Sequence, residues 1–466
     1  MSRTLAQTLA DFAADLSFEH LPPEVIESVK LRFLDTIGIC LASRHFGLAD
    51  GVQQMVDSWG GTTESDVVGG GKQCPAPNAA LVNGTLAHSL DFDDTHLPSV
   101  LHPSASIVPA VLAMAQSTGR SGREALLAAT AGIETTVRIG MAGYLPEAGN
   151  VYFERGWHAT SICGTLGAAV AGAKLLGLDA EGIANAVGIA ASFGSGVIEG
   201  NRAGGTVKRV HCGWAAHAGL TAALLAHHGM SGPPTALEGR FGLFEAFLSG
   251  QFDPTPITRI DQCWEIPGIL FKPYPANHYT HAGIDAALAI RSQIDDVAQI
   301  TRIELGAAAS PLRTIGEPRE EKIRPRSGYH AQFSGPFTVA TALLGGGGLG
   351  VYFDDFTDAM ARDPARLALA ARVSTFVDAE CDAAFPRAFS AVLRVQLNDG
   401  RVLEHRVMQN RVLTEDEVRQ KFELNARLWL EPEATSRVTQ AVLGLEHAER
   451  VDGVMALTGP GSRAPA

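Results

Sequence analysis

Paired cysteines, basic runs and phosphate-binding loops are what this sequence lacks. Its six cysteines, Cys40, Cys74, Cys163, Cys212, Cys263 and Cys381, lie far apart with no CxxC pair. That spacing fits neither a disulfide framework nor a structural zinc site, and implies reduced thiols. Lys and Arg number 37 against 50 Asp and Glu, for a formal net charge of −13, and no Lys/Arg-rich run relieves it locally. Such a surface repels DNA, RNA and anionic lipid, so no nucleic-acid partner is expected. No GxxxxGK[ST] and no GxSxG occurs, which argues against nucleotide phosphate transfer and α/β-hydrolase chemistry. Gly345, Gly347 and Gly350 satisfy GxGxxG formally, but they follow a helix-like run instead of a strand, so no dinucleotide site is expected.

Unbroken apolar spans are missing as well. The segment 331–353 has the length of a membrane span, but Pro336 and the run Gly345 to Gly348 break it; 182–198 is short and holds Asn185, Ser192 and Ser195. The first residues contain no signal-peptide core and are soon followed by Asp11 and Asp15. A cytoplasmic protein without membrane association is expected.

What is present is a chain of 466 residues, 46% hydrophobic and 19% charged, enough for a full core in about two or three domains. Leu5, Leu9, Phe12 and Leu16 recur at helical spacing, and Pro22-Pro23 opens a second stripe of Ile26, Val29, Phe33, Ile37 and Leu41. Helices of small residues follow at 107–116, 123–132, 165–176, 182–191 and 215–228. Fifty glycines imply close helix packing and loops that bring backbone near a ligand. After about Pro254 the pattern changes. Residues 300–305 alternate weakly, and Leu393, Val395 and Leu397 alternate, turn at Asn398-Asp399-Gly400 and return through Leu403, His405 and Val407, a hairpin signal. Helical patterns lie between, at 281–294 and 333–344. From Thr414, a plausible N-cap with Glu417 three residues on, the tail returns to helix until about Leu445. A helical domain and a smaller α+β domain follow, with a small-molecule site sought first between them. Only the last few residues read as disordered.

Four polar clusters are candidate chemistry. His88, Asp91, Asp93, Asp94, Thr95, His96 and His102 crowd one segment, with His88 and Asp91 expected to share a helix face; a metal site, plain helix capping and an organic-acid site are all open to it. His158, in Gly156-Trp157-His158-Ala159-Thr160-Ser161, is either a general base near neutrality or the cap of the helix that follows, whose N–H groups could hold an anion. The stretch Gly204-Gly205-Thr206-Val207-Lys208-Arg209-Val210-His211 either cradles a carboxylate or is a surface turn. Phe271-Lys272-Pro273-Tyr274-Pro275-Ala276-Asn277-His278 is stiffened by two prolines, as a held lysine or a linker would be.

In order and spacing, LPPEVIESVKLRFLDTIGICLAS, NGTLAHSLDFDDTH, LHPSASIVPAVLA, GWHATSICGTLGAA, GGTVKRVHCGWAAHAGLTAALLA and FKPYPANHYTH resemble the MmgE/PrpD family over nearly the whole chain. The family's activities include 2-methylcitrate dehydratase, cis-aconitate decarboxylase and iminodisuccinate epimerase. The resemblance implies a mainly α fold: a large all-helical domain over 1–265, an α+β lid domain over 266–408, and C-terminal helices over 409–466 packing back on the helical domain. It implies a homodimer, no organic cofactor and no metal. Carried over by motif, the site contains Asp91, Thr95, His102, His158, Lys208 and Lys272, with Thr206, Tyr274, Asn277 and His278 as further substrate-binding candidates.

In two places the chain departs from that pattern. The decarboxylase branch has a histidine where this chain has Asn277 and a tyrosine where it has Phe337; the dehydratase branch has a glutamate near 277. The expected function is therefore proton abstraction beside a carboxylate of a small di- or tricarboxylate. Lys208 and Lys272 would hold charge, His102 and His158 would carry protons, and Asp91 would orient one histidine. An epimerase is expected ahead of a dehydratase or decarboxylase. The other classes are a metal-dependent lyase or hydrolase built on His88, Asp91 and His96, and a non-catalytic helical binding protein.

Overall fold

The computed structural model describes residues 3–146, 148–200 and 205–462. Gly204 of the glycine pair, and the last residues for which disorder was expected, lie outside them. The chain divides into two compact units, Met1–Leu270 with Glu415–Ala466, and Phe271–Thr414. Helix dominates, and no described helix is long and apolar enough to cross a membrane.

The first unit is built from helices with few large side chains. Helix α1 (Leu5–Asp15) starts with a capping box, Thr4 and Gln7 each satisfying the other's backbone N–H. Helix α2 (Pro23–His45) carries proline at its first turn, where no intrahelical N–H is lost. Then come α3 (Ala76–His88), α4 (Ser104–Ser117), α5 (Gly122–Ala142), α6 (Ala159–Leu175), α7 (Ala180–Ala190) and α8 (His211–His227). Their glycines let backbones touch. A Cβ added at Gly84 of α3 would lie 2.7 Å from the Cα of Gly213 in α8. Since His88 lies one turn beyond Gly84 and His211 two residues before Gly213, this contact brings the end of α3 beside the start of α8.

In the second unit, α9 (His281–Arg291) and α10 (Gly335–Leu344) pack with a four-stranded sheet of β1 (Ile300–Ala307), β2 (Val373–Val377), β3 (Ala391–Leu397) and β4 (Val402–Val407). The order is β2-β1-β3-β4, with β1 and β2 parallel and the other neighbours antiparallel. The hairpin pairs Leu393 with His405 and Val395 with Leu403. The core of this unit is aliphatic and aromatic: Ile284, Ile303, Phe337, Leu343, Leu393 and Val395 are at most 1% exposed.

The tail re-enters the first unit. Helix α11 (Glu415–Ala426) sets Phe422 against Gly38 of α2 and Lys421 against Asp35, and α12 (Pro432–Leu443) follows on the same helix.

Candidate active site

One structural surprise organises the polar cluster. Helix α3 ends at His88, and Asp91 lies beyond it with φ +52°, so the two do not share a helix face as expected. Left-handed backbone is strained for a residue with a Cβ, and aspartate tolerates it better than most. The turn sends the next side chains to different walls.

Asp91 meets Lys208 Nζ at 3.3 Å. The Phe92 carbonyl accepts from Lys421 Nζ at 2.8 Å, and that ammonium also stands 3.9 Å over the Phe92 ring. Asp93 meets His88 Nδ1 at 2.7 Å. Asp94 accepts from Arg32 Nη1 at 2.7 Å and from both the backbone N–H and the hydroxyl of Ser104 at the start of α4. Arg32 is held in turn by the carbonyls of Ile266 and Ile269. Thr95 pairs by backbone with Leu270. A segment of consecutive residues is thus pinned by α2, α3, α4, α11 and the turn bearing Lys208. Burial raises the Asp35 carboxyl to about 6 although Lys421 beside it pulls the other way.

Four imidazoles collect behind this segment. The His88 ring centroid lies 5.6 Å from that of His102 and 5.5 Å from that of His158, and His158 lies 5.0 Å from His211. His102 Nδ1 is 2.6 Å from the Asp94 carbonyl, and a carbonyl only accepts. Nδ1 is therefore the protonated nitrogen, and Nε2 is left as the basic one. His88 donates from Nδ1 to Asp93 in the same way, which leaves its buried Nε2 without a hydrogen-bond partner among the described residues. His158 occupies the N-cap position of α6, but its side chain makes no cap bond; Nδ1 is instead 2.9 Å from Nδ1 of His211. Burial is the largest cause holding both rings neutral, with His88 and Lys208 adding to it. His158 falls well below its usual value and His211 to about 4.

The other expected residues fall elsewhere. Lys208 is buried at 8% exposure, which a surface turn would not produce, while Thr206 just before it is exposed. His96 is tied at both nitrogens, to Ser99 and to Glu265, and so is not available to a His88–Asp91–His96 metal set. The grouping with metal-ligand spacing among the described residues is His88, Asp93 and Cys212, whose ligand atoms lie within 4.8 Å of one another. Cys212 was not singled out by sequence, although it directly follows the KRVH motif; Asp93 and His211 were, but in separate clusters and without these partners.

In the second unit, Lys272 and His278 are buried. Tyr274 donates its hydroxyl to Asp285 at 2.6 Å and accepts from Arg411, and its ring has no exposure. Asn277 caps the short helix that follows by accepting from the Tyr279 N–H. Phe337 is wholly buried near Phe356. A cavity of about 310 Å³ lined by Arg3, Asp11, Asp15, His20 and Trp264 belongs to the first unit and includes none of the expected site residues.

The first unit thus brings together the neutral rings of His158 and His211, the buried Lys208–Asp91 pair and the strained turn at Asp91. The chain belongs to the MmgE/PrpD family: residues 7–255 match the MmgE/PrpD N-terminal domain and residues 274–446 the MmgE/PrpD C-terminal domain. It is 28% identical to the cis-aconitate decarboxylase-like protein oryM of Aspergillus oryzae, with 96% of each chain covered. It is also 28% identical to the cis-aconitate decarboxylase of Homo sapiens, over 96% of this chain and 93% of that one. To the Mus musculus cis-aconitate decarboxylase it is 31% identical over 63% of this chain and 60% of that one. These relatives are lyases by name, not epimerases.

Proposed function

We propose that this protein is a lyase that breaks a bond beside a carboxylate of a small tricarboxylate, with decarboxylation of a cis-aconitate-type substrate as the leading reaction and dehydration as its neighbour. The observation that carries this reading is the convergence of buried His88 and His158 with half-buried His102, in the unit that also holds the buried Lys208–Asp91 pair. The relatives' names favour the lyase over the epimerase expected from sequence. That expectation rested on Asn277 and Phe337, and both have a structural place here, one as a helix cap and one in an apolar core.

In this reading the C–C bond to the departing carboxylate breaks and carbon dioxide leaves. The electron pair spreads toward the remaining carboxylates, and a histidine proton closes a new C–H bond. Lys208 holds a substrate carboxylate, exchanging its contact with Asp91 for one to the ligand. His102, fixed by the Asp94 carbonyl with Nε2 basic, and His158 are the proton carriers. Lys272 is proposed as a second carboxylate partner. Each lysine should be worth roughly 2–4 kcal/mol of transition-state stabilisation, about what a charged donor contributes in a dry site.

The test is NMR of the purified protein with a panel of small di- and tricarboxylates in deuterated water. Loss of carbon dioxide with one solvent deuterium in the product is expected. Deuterium exchange with no bond cleavage would return the epimerase, and no reaction across the panel would overturn the enzyme reading. Unchanged kcat/KM in both Lys208→Ala and Lys272→Ala would remove the lysines from it.

One observation favours a second reading: His88, Asp93 and Cys212 have metal-ligand spacing. Metal analysis of the purified protein, with activity before and after chelation, distinguishes a metal-dependent lyase.

A further inference from the structure

His158 and His211 meet Nδ1 to Nδ1 at 2.9 Å, with exposures of 2% and 7%. A hydrogen bond between two imidazole nitrogens holds one proton, because two N–H groups would clash and two lone pairs would repel. One ring therefore donates from Nδ1 and keeps a basic Nε2, while the other accepts at Nδ1 and carries its proton on Nε2. Both rings are buried, with the His88 ring against His158, and an unpaired positive charge there is costly. A neutral imidazole surrenders its Nε2 proton readily only if another arrives at Nδ1 in the same step; otherwise an imidazolate forms.

We propose that the two rings are a proton relay in which His211 recharges His158. His158 gives its Nε2 proton to the carbanion left on the substrate, His211 passes its Nδ1 proton to His158 Nδ1, and His211 Nε2 takes up a proton from solvent. Each ring stays neutral, one C–H bond forms, and one solvent proton is consumed, as loss of carbon dioxide from a polycarboxylate requires. Once the product leaves, proton exchange of the two outer nitrogens with water restores the starting tautomers. His211 suits the outer position: it opens α8 directly after the turn Val207–Val210, where Thr206 and Val207 are exposed. His211 is on this account a positioning and relay residue, not one that touches substrate.

The inference rests on the lyase reading, but its first test needs no turnover. With 15N-labelled histidine, one protonated and one bare Nδ1, coupled across the hydrogen bond, are expected near neutral pH, with the coupling lost in His211→Gln. Two imidazolium rings, or no coupling in the native protein, would overturn the relay whatever the substrate. The second test uses cis-aconitate. His211→Gln should lower kcat about a hundredfold with little change in KM. His211→Asn, which keeps an amide at the Nδ1 position but has no second nitrogen to recharge, should be as slow. Recovery of kcat in His211→Asn would show a structural role only and overturn the relay. A native protein inert toward the whole panel fails the lyase reading instead, and the NMR result then decides the relay alone.

Discussion

In the helical unit Arg32 meets Asp94 at 2.7 Å with both side chains 1% exposed, whereas on the sheet of the second unit Arg302 meets Glu304 at the same 2.7 Å with exposures of 61% and 31%. Both units hold both kinds of pair, since Arg123–Glu19 and Arg427–Glu423 are exposed in the first and Arg366–Asp355 is largely buried in the second, but the deepest pairs gather in the helical core. Lys421–Asp35, Arg138–Glu134, Lys208–Asp91 and His88–Asp93 are all buried in the first unit. Arg326–Glu321, Arg394–Glu404 and Arg401–Asp399 are largely exposed in the second. Taking ions out of water costs several kcal/mol each, and apolar side chains of similar volume often serve stability as well or better. Keeping charge in the helical core is thus poorly explained by stability, and the anionic substrate proposed above would supply a reason for the Lys208–Asp91 and His88–Asp93 pairs. Burial, not distance, separates the two kinds of pair.

The largest effect expected from that difference is on Arg32. Arg32→Met leaves Asp94 buried without its cation and frees the carbonyls of Ile266 and Ile269, so a loss of about 3–5 kcal/mol is expected. Urea denaturation measures it, and a loss below about 1 kcal/mol would mean the pair is not a buried charge in the sense argued here. Next is Gly84→Ala. The added methyl meets the backbone of α8 at 2.7 Å, which cannot move aside as a flexible side chain would. An overpacking cost of about 1–3 kcal/mol is expected, together with a change in the His88 ring environment readable by NMR.

The pH response separates the units further. His211 falls to about 4 against an ordinary value of 6.5, and His158 is also lowered, with burial the largest cause in both. The unfolded chain then binds more protons than the folded one between pH 6.5 and about 4, so these rings contribute stability that is present above 6.5 and lost as pH falls. Asp35 and Glu134, raised by burial to about 6 and about 7, act in the opposite sense over much of that window. Wild-type stability alone therefore hides the effect, and the difference from His211→Gln exposes it. The wild type should lose more stability than the variant from pH 6.5 to 4.5. In the second unit Asp378 is held low chiefly by its hydrogen bond to Arg406, so its contribution is lost only below its ordinary value of 3.8. Parallel pH curves for wild type and variant would break this part of the comparison.

What sequence could show follows from the same contrast. The hairpin at 393–407 was legible because alternation is local, and the small-residue helices because their periodicity is, though α5 runs on to Ala142, well past the expected 132. Strand β2 was not legible: its parallel partner β1 lies far away in sequence, and its burial does not alternate. Within the candidate site, residue type and motif were enough to single out His102, His158 and Lys208, and the structure places His158 and Lys208 in buried positions. The His158–His211 bond was not legible, because it depends on α6 and α8 touching, as they do at Gly219, where an added Cβ would lie 2.5 Å from the Thr165 carbonyl oxygen. The turn at Asp91 was misread as helix because a left-handed aspartate leaves no periodic trace.

The smallest effect belongs to Arg302. Its guanidinium and the Glu304 carboxylate sit two residues apart on one face of β1, both wetted by solvent. Water screens their attraction, the unfolded chain loses little by leaving both groups hydrated, and ordering two long side chains costs rotamer entropy that offsets most of the Coulomb gain. Arg302→Ala should therefore change stability by less than about 1 kcal/mol, and raising the salt concentration should shrink even that, since the Debye length falls to about 3 Å at 1 M. The same salt should leave the much larger Arg32→Met effect nearly intact, because ions cannot reach a pair inside the helical core. Urea midpoints for both variants at low and high salt make the measurement. A loss at Arg302 comparable to that at Arg32, or equal salt sensitivity at the two sites, would show that distance rather than burial governs these pairs, and the functional argument drawn from charge in the helical core would fall with it.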